Sequence, residues 1–161
     1  FIETPVDAIY GNYRFVDSSK KETRQLITQN PVKWISLFYC YIPSTTFFFK
    51  REIYDSGIKI DKTFHISMDK EFFANIFHKK FLIKKINYIL ANFRWHDNNK
   101  SLDTYNVKKI RLREGVLIFN RYSKYYLPSN ILGLCAYYFL SKLVGVFRFI
   151  CKVLKIYMYR S

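Results

Sequence analysis

Hydrophobic positions along the chain change their period several times, and each change predicts an element. The opening "VDAIYGNYRFVDSSKKE" interleaves β-branched and aromatic residues around Gly11 and breaks at Asp17-Ser18-Ser19. It predicts a strand or two followed by a solvated turn. "WISLFYCYIPSTTFFF" is densely apolar but interrupted, which predicts a buried segment, a loop at Pro43-Ser44-Thr45 and a second buried segment. "KREIYDSG" reads as a short helix stopped by Gly57 in the left-handed position that follows a helix end. From Ser67 the apolar residues Met68, Phe72, Phe73, Ile76 and Phe77 recur on one helical face. Ser67 suits the N-cap there, and Lys79-Lys80 suits the negative end of the helix dipole.

The second half alternates less and lengthens its periods. "FLIKKINYILANFRW" predicts a strand leading into the polar loop "HDNNKS". Residues from about Asp103 to Tyr126 predict a helix closed by Pro128, and "SNILGLCAYYFLSKLVGVFRFICKVLKIYMYR" a long second one. There is no internal repeat. The order is strand, helix, strand and then two helices, an α/β chain with few strands and a C-terminal helical extension. We divide it at 1–101 and 102–161.

Charge separates the same two parts. Residues 1–97 carry 15 Lys and Arg against 10 Asp and Glu, and residues 98–161 carry 12 against 2. The whole chain of 161 residues has a formal charge of +15, which calls for an anionic partner. Nucleic acid fits poorly, because zinc-finger spacing, an aromatic ribonucleoprotein motif and a basic helix-turn-helix are all absent. Three scattered cysteines, Cys40, Cys135 and Cys151, make no CxxC pair, and an odd number argues for a reducing compartment. The chain opens on Phe1 rather than Met, so we expect a piece of a longer protein.

In the last helix "ILGLCAYYFL" is uncharged, but Lys142 interrupts it short of the ~20 apolar residues of a membrane span. Arg148, Lys152 and Lys155 then recur at spacings of four and three. A basic stripe on an apolar helix suits the plane of an anionic membrane surface, with Lys142, Arg148, Lys152 and Lys155 as the contacts. The alternative is packing against the domain or a second copy, which leaves a homo-oligomer open.

Candidate chemistry is sparse. A Gly-rich phosphate loop, GxSxG and HExxH are all absent, and His65, His78 and His96 are not spaced as a metal triad. Asp69 remains, in the first turn of a helix where the dipole favours its anion. A carboxylate so placed accepts a proton from a hydroxyl if it faces a cleft, although first-turn Asp is also common for purely structural reasons. Arg94-Trp95-His96 ends a strand, with Arg94 and His96 on one face. Trp34, Trp95 and Phe47-Phe48-Phe49 read as core, and His65 and His78 as surface or helix-end residues.

Taken in order, "IYGNYRFVD", "IPSTTFFFKREIYDSGIKID", "HISMDKEFF" and "LANFRWHDNNKS" resemble the second half of a family 2 glycosyltransferase of GT-A (Rossmann-like) fold. These are bacterial enzymes of capsule, lipopolysaccharide and other surface-polysaccharide biosynthesis. The resemblance covers about residues 6–101, including the turn Gly57-Ile58-Lys59-Ile60-Asp61. It implies that Asp69 is the general base that deprotonates an acceptor hydroxyl in an inverting transfer from a nucleotide-sugar. Met68 stands where the family often has a second acid. Pro43, Ser44, Thr45, Arg94 and Trp95 would lie near donor and acceptor, and His96 would approach a metal or the diphosphate. The family's Asp-x-Asp motif, which holds Mg or Mn, does not occur in these residues. We therefore expect an acceptor-side half that is inactive and metal-free alone, and an intact enzyme peripheral on the cytoplasmic face of the plasma membrane. Its acceptor would be a glycan or a lipid-linked sugar. The competing expectation is a non-catalytic, basic membrane-binding or scaffolding module.

Overall fold

The computed structural model describes residues 5–17, 19–94 and 104–154. Strand β1 (Ala8–Val16) is the centre of a four-stranded mixed sheet. Strand β4 (Ile83–Arg94) runs parallel to it from the Ala8–Ile83 pair to the Val16–Arg94 pair and so occupies one whole edge. On the other edge β3 (Phe47–Phe49) pairs antiparallel with Ala8–Tyr10, and β2 (Glu22–Leu26) with Tyr13–Val16. The register between β1 and β4 slips around Gly11, where a Cβ would stand 2.6 Å from the Tyr88 carbonyl oxygen. Glycine is the residue that permits this approach.

The parallel β1–β4 pair requires a crossover, and α1 (Arg51–Asp55) and α2 (Met68–His78) lie within it. The 3.6-residue period of α2 buries Phe72, Phe73 and Ile76 against Ala8 and Tyr10 of β1 and Ile83 of β4. Ile53 of α1 and Ile58, just beyond Gly57, are fully buried in the same cluster. Gly57 has φ +86°, the left-handed turn expected for it.

Helix α3 (Tyr105–Tyr122) and helix α4 (Ile131–Val153) pack on this unit rather than standing apart. Ile118 of α3 shares a core with Phe64 and with Ala74 of α2. Tyr137 of α4 joins Val116 and Phe119, with Leu37 and Phe38 packed against them. Helix α3 stops earlier than its pattern predicts, because Asn120 exchanges two hydrogen bonds with the backbone of Leu127 and folds the chain back.

Two expectations about the core fail. Trp34 is 44 % exposed, its ring tilted against Phe147 of α4 at 5.7 Å, and Phe48 and Phe49 are 56 % and 43 % exposed. For the two Phe residues the reason is the shortness of β3, which has a partner on one edge alone and buries part of Phe47 only. The segment before it forms a short 3-10 turn, Lys33–Leu37, that buries Ile35 and Ser36.

Candidate functional site

Asp69 is exposed in the first turn of α2 and borders a cleft of about 400 Å³. Phe72, Phe73 and Ile58 form its interior. Phe47, Phe49, Tyr54 and Ile60 complete the apolar lining, and the polar side chains are Ser44, Lys59 and Asp69. The fold thus places Ser44 and Asp69 on the lining of one cleft. Pro43 precedes the 3-10 turn Ser44–Thr46 and exposed Thr45 lies within it, and buried Thr46 pins that turn by donating to the Gly11 carbonyl. Arg94 is elsewhere. It lines a separate hollow with Val16, Lys20 and Asn92, at the end of β4 away from α2. Trp95 and His96 lie outside the described residues.

Three groups from the C-terminal helices hold α2. Glu114 of α3 is buried, and its carboxylate accepts from the backbone N–H groups of His65 at 2.6 Å, Ile66 at 3.1 Å and Ser67 at 2.7 Å. Ser67 does stand at the N-cap, but its side chain makes no capping bond; Glu114, from another helix, instead fixes the backbone that leads into α2. Glu71 is also buried, and one of its oxygens accepts from Tyr122 Oη and from Arg121 Nη1 at 2.9 Å. The same Arg121 nitrogen donates to Asp61 at 2.9 Å, which ties the turn after Gly57 to α3. Hydrogen bonds from Thr63, followed by Arg121, bring the Asp61 carboxyl down to about 2.

Lys70, next to Asp69, turns into the protein. Its ammonium donates to Tyr137 Oη at 2.7 Å, and Tyr137 donates onward to the Leu37 carbonyl at 2.9 Å. Burial lowers the Lys70 ammonium to about 8, against the raising charges of Cys40 and Glu114, with Arg111 adding to the fall. The Cys40 thiol is pushed up to about 12, first by its packed surroundings and then by Asp69, although part of the residue reaches solvent. Tyr137 reaches Lys70 by passing α3 at Gly115, where a Cβ would fall 2.5 Å from its ring.

Glu114, Lys70 and Arg121 were not legible as site residues. One signal did exist: Glu114 is one of two acids among residues 98–161. An isolated acid in a basic segment marks a group with a specific partner.

Among the described residues no three His, Cys, Asp or Glu side chains converge where a metal could sit.

Helix α4 is long and apolar enough to cross a membrane by length and composition, and most of its surface lies open. Its buried positions, Gly133, Tyr137, Val144 and Cys151, make one seam against the rest of the protein. Arg148, expected as a membrane contact, is half-buried and turns towards that seam. Its Nε donates to Gln29 Oε1 at 2.8 Å, and its guanidinium lies 4.6 Å from the Tyr39 ring centroid. Lys142 and Lys152 are exposed, while Lys155 lies outside the described residues.

No protein-family model matches this chain, and no characterised protein matches it significantly in sequence.

Proposed function

We propose that the chain is the acceptor-side part of an inverting, GT-A-type glycosyltransferase of family 2, with Asp69 as its general base. The observation that carries the reading is the exposed Asp69 carboxylate, which shares with Ser44 the lining of a cleft whose helix is held by Glu114, Arg121 and Tyr137. Such a base needs an open approach for the hydroxyl and a rigid support, and both are available here. In the step, the acceptor oxygen bonds to the anomeric carbon of the sugar while Asp69 takes the hydroxyl proton. The bond from that carbon to the nucleotide diphosphate breaks, and the diphosphate leaves with the electron pair. Donor binding, and a Mg or Mn ion to offset the diphosphate charge, would belong to an Asp-x-Asp-bearing half that these 161 residues do not supply. This chain alone is then inactive.

The outward face of α4, with Leu132, Phe139, Val146, Phe149 and Val153 exposed, supports docking in the plane of an anionic membrane on the cytoplasmic side. The inward face is already committed to the protein. That same face supports the second reading, a non-catalytic membrane-binding module. The full-length protein decides between them, through transfer of radiolabelled sugar from a panel of nucleotide-sugars into lipid-extractable or polymeric product. Asp69→Asn should lower turnover by roughly 100-fold or more while leaving nucleotide-sugar affinity unchanged. Turnover retained in the variant removes Asp69 as the base, and absence of transfer from any donor by the parent favours the module.

A further inference from the structure

Polar and apolar groups are segregated in the cleft beside Asp69. Its polar groups, on Ser44, Lys59, Asp69 and the Tyr54 hydroxyl, all belong to solvent-exposed residues, whereas the interior is Phe72, Phe73 and Ile58, at most 9 % exposed. Phe47 meets Phe73 edge-on at 4.9 Å, and Phe49 meets Phe72 at 5.7 Å, so the aromatic wall is continuous. Its rim is apolar too apart from the Tyr54 hydroxyl: Phe49, Tyr54 and Ile60 are 43 %, 51 % and 53 % exposed. A sugar seated inside such a space would bury hydroxyls with nothing to bond, at a cost of a few kcal/mol each. An apolar chain would instead remove both the wall and the rim from water. Lys59, whose ammonium lies 5.3 Å from the Tyr54 ring centroid, adds a cation at the opening.

We infer that this cleft is a subsite for the apolar portion of a lipid-borne acceptor. The chain lies on Phe47, Phe49, Phe72 and Phe73, the reacting hydroxyl is presented at the mouth to Asp69, and an anionic headgroup meets Lys59. The inference rests on the reading of Asp69 as the base and selects a lipid-borne acceptor over a free glycan.

The test is calorimetric titration of this chain with octyl β-glucoside below its micelle concentration, with methyl β-glucoside as the chain-free control. Each methylene buried is worth about fourfold in affinity, so an octyl chain that seats only three to four of its seven extra carbons should already bind on the order of 100-fold tighter than methyl. Changing the exposed rim, Phe49→Ser with Ile60→Ser, should weaken octyl binding by about tenfold or more while leaving the melting temperature in place. Equal affinity for the two glucosides overturns the proposal in favour of sugar stacking. Octyl binding unaffected by the rim change overturns it too, because the chain is then held elsewhere, as on α4. Octyl binding that follows the rim, together with full turnover in Asp69→Asn, leaves the apolar subsite standing and removes the catalytic reading instead.

Discussion

Glu114→Ala is the sharpest test of how the candidate site is held. The substitution deletes one buried carboxylate that accepts three backbone N–H groups, at 2.6, 3.1 and 2.7 Å. Hydrogen bonds to a charged acceptor contribute roughly 1.5–3 kcal/mol each when considered singly. They share one carboxylate, and water entering the vacated space restores part of the loss. We therefore expect about 3 kcal/mol of destabilisation, the low end for orphaning groups around a buried charge. Alanine is a better helix former than glutamate, so the propensity of α3 opposes this loss and cannot cause it. For a chain of this size the change corresponds to a fall in Tm of roughly 6–12 °C. Urea unfolding followed by far-ultraviolet circular dichroism gives the free energy, and calorimetry the Tm. Hydrogen exchange gives the location, since the amides of His65, Ile66 and Ser67 should lose protection before the sheet does. Glu114→Gln keeps one carbonyl oxygen and should recover about half of the loss. An alanine variant within about 1 kcal/mol of the parent, with those amides still protected, would refute the clamp.

Three further outcomes follow from the same packing. Burial lowers the Lys70 ammonium from 10.5 to about 8, so between these values the unfolded chain binds the extra proton and stability rises with pH. Lys70→Met should accordingly be more stable than the parent near neutrality, by roughly 1–3 kcal/mol, and lose that advantage as the pH climbs through this window. A difference constant with pH in urea titrations would contradict it. Gly115→Ala should destabilise by about 1–3 kcal/mol despite alanine's helix preference, because its Cβ meets a Tyr137 ring anchored at both Lys70 and Leu37; an unchanged or raised Tm would show that the ring moves aside. Phe139→Glu with Phe149→Glu, both on the open face of α4, should reduce co-sedimentation with phosphatidylglycerol vesicles by about tenfold or more. Undiminished binding would place the membrane contact elsewhere.

The chain's own pattern determined its local elements well, because periodicity records which face of an element is buried. The alternation around Gly11 gave β1, the Met68–Phe77 stripe gave α2, and Gly57 ended α1 in the left-handed turn that glycine adopts at little cost. It also made Asp69 a first-turn acid. Tertiary structure decided what those elements meet. Phe48 and Phe49 have core composition but stand at the surface, since β3 is too short and lies at an edge, and Trp34 stands there because its 3-10 turn buries Ile35 and Ser36 instead. Arg148 has the spacing of a membrane-facing stripe, yet Gln29 and Tyr39, more than a hundred residues earlier, draw it inward. Glu114 reads as one more polar position on a basic helix until the fold sets it against the three amides that lead into α2. A periodic pattern encodes contact with an apolar interior, which any hydrophobic neighbour satisfies. A hydrogen bond between residues nearly fifty positions apart depends on where two helices cross, and no local pattern carries that.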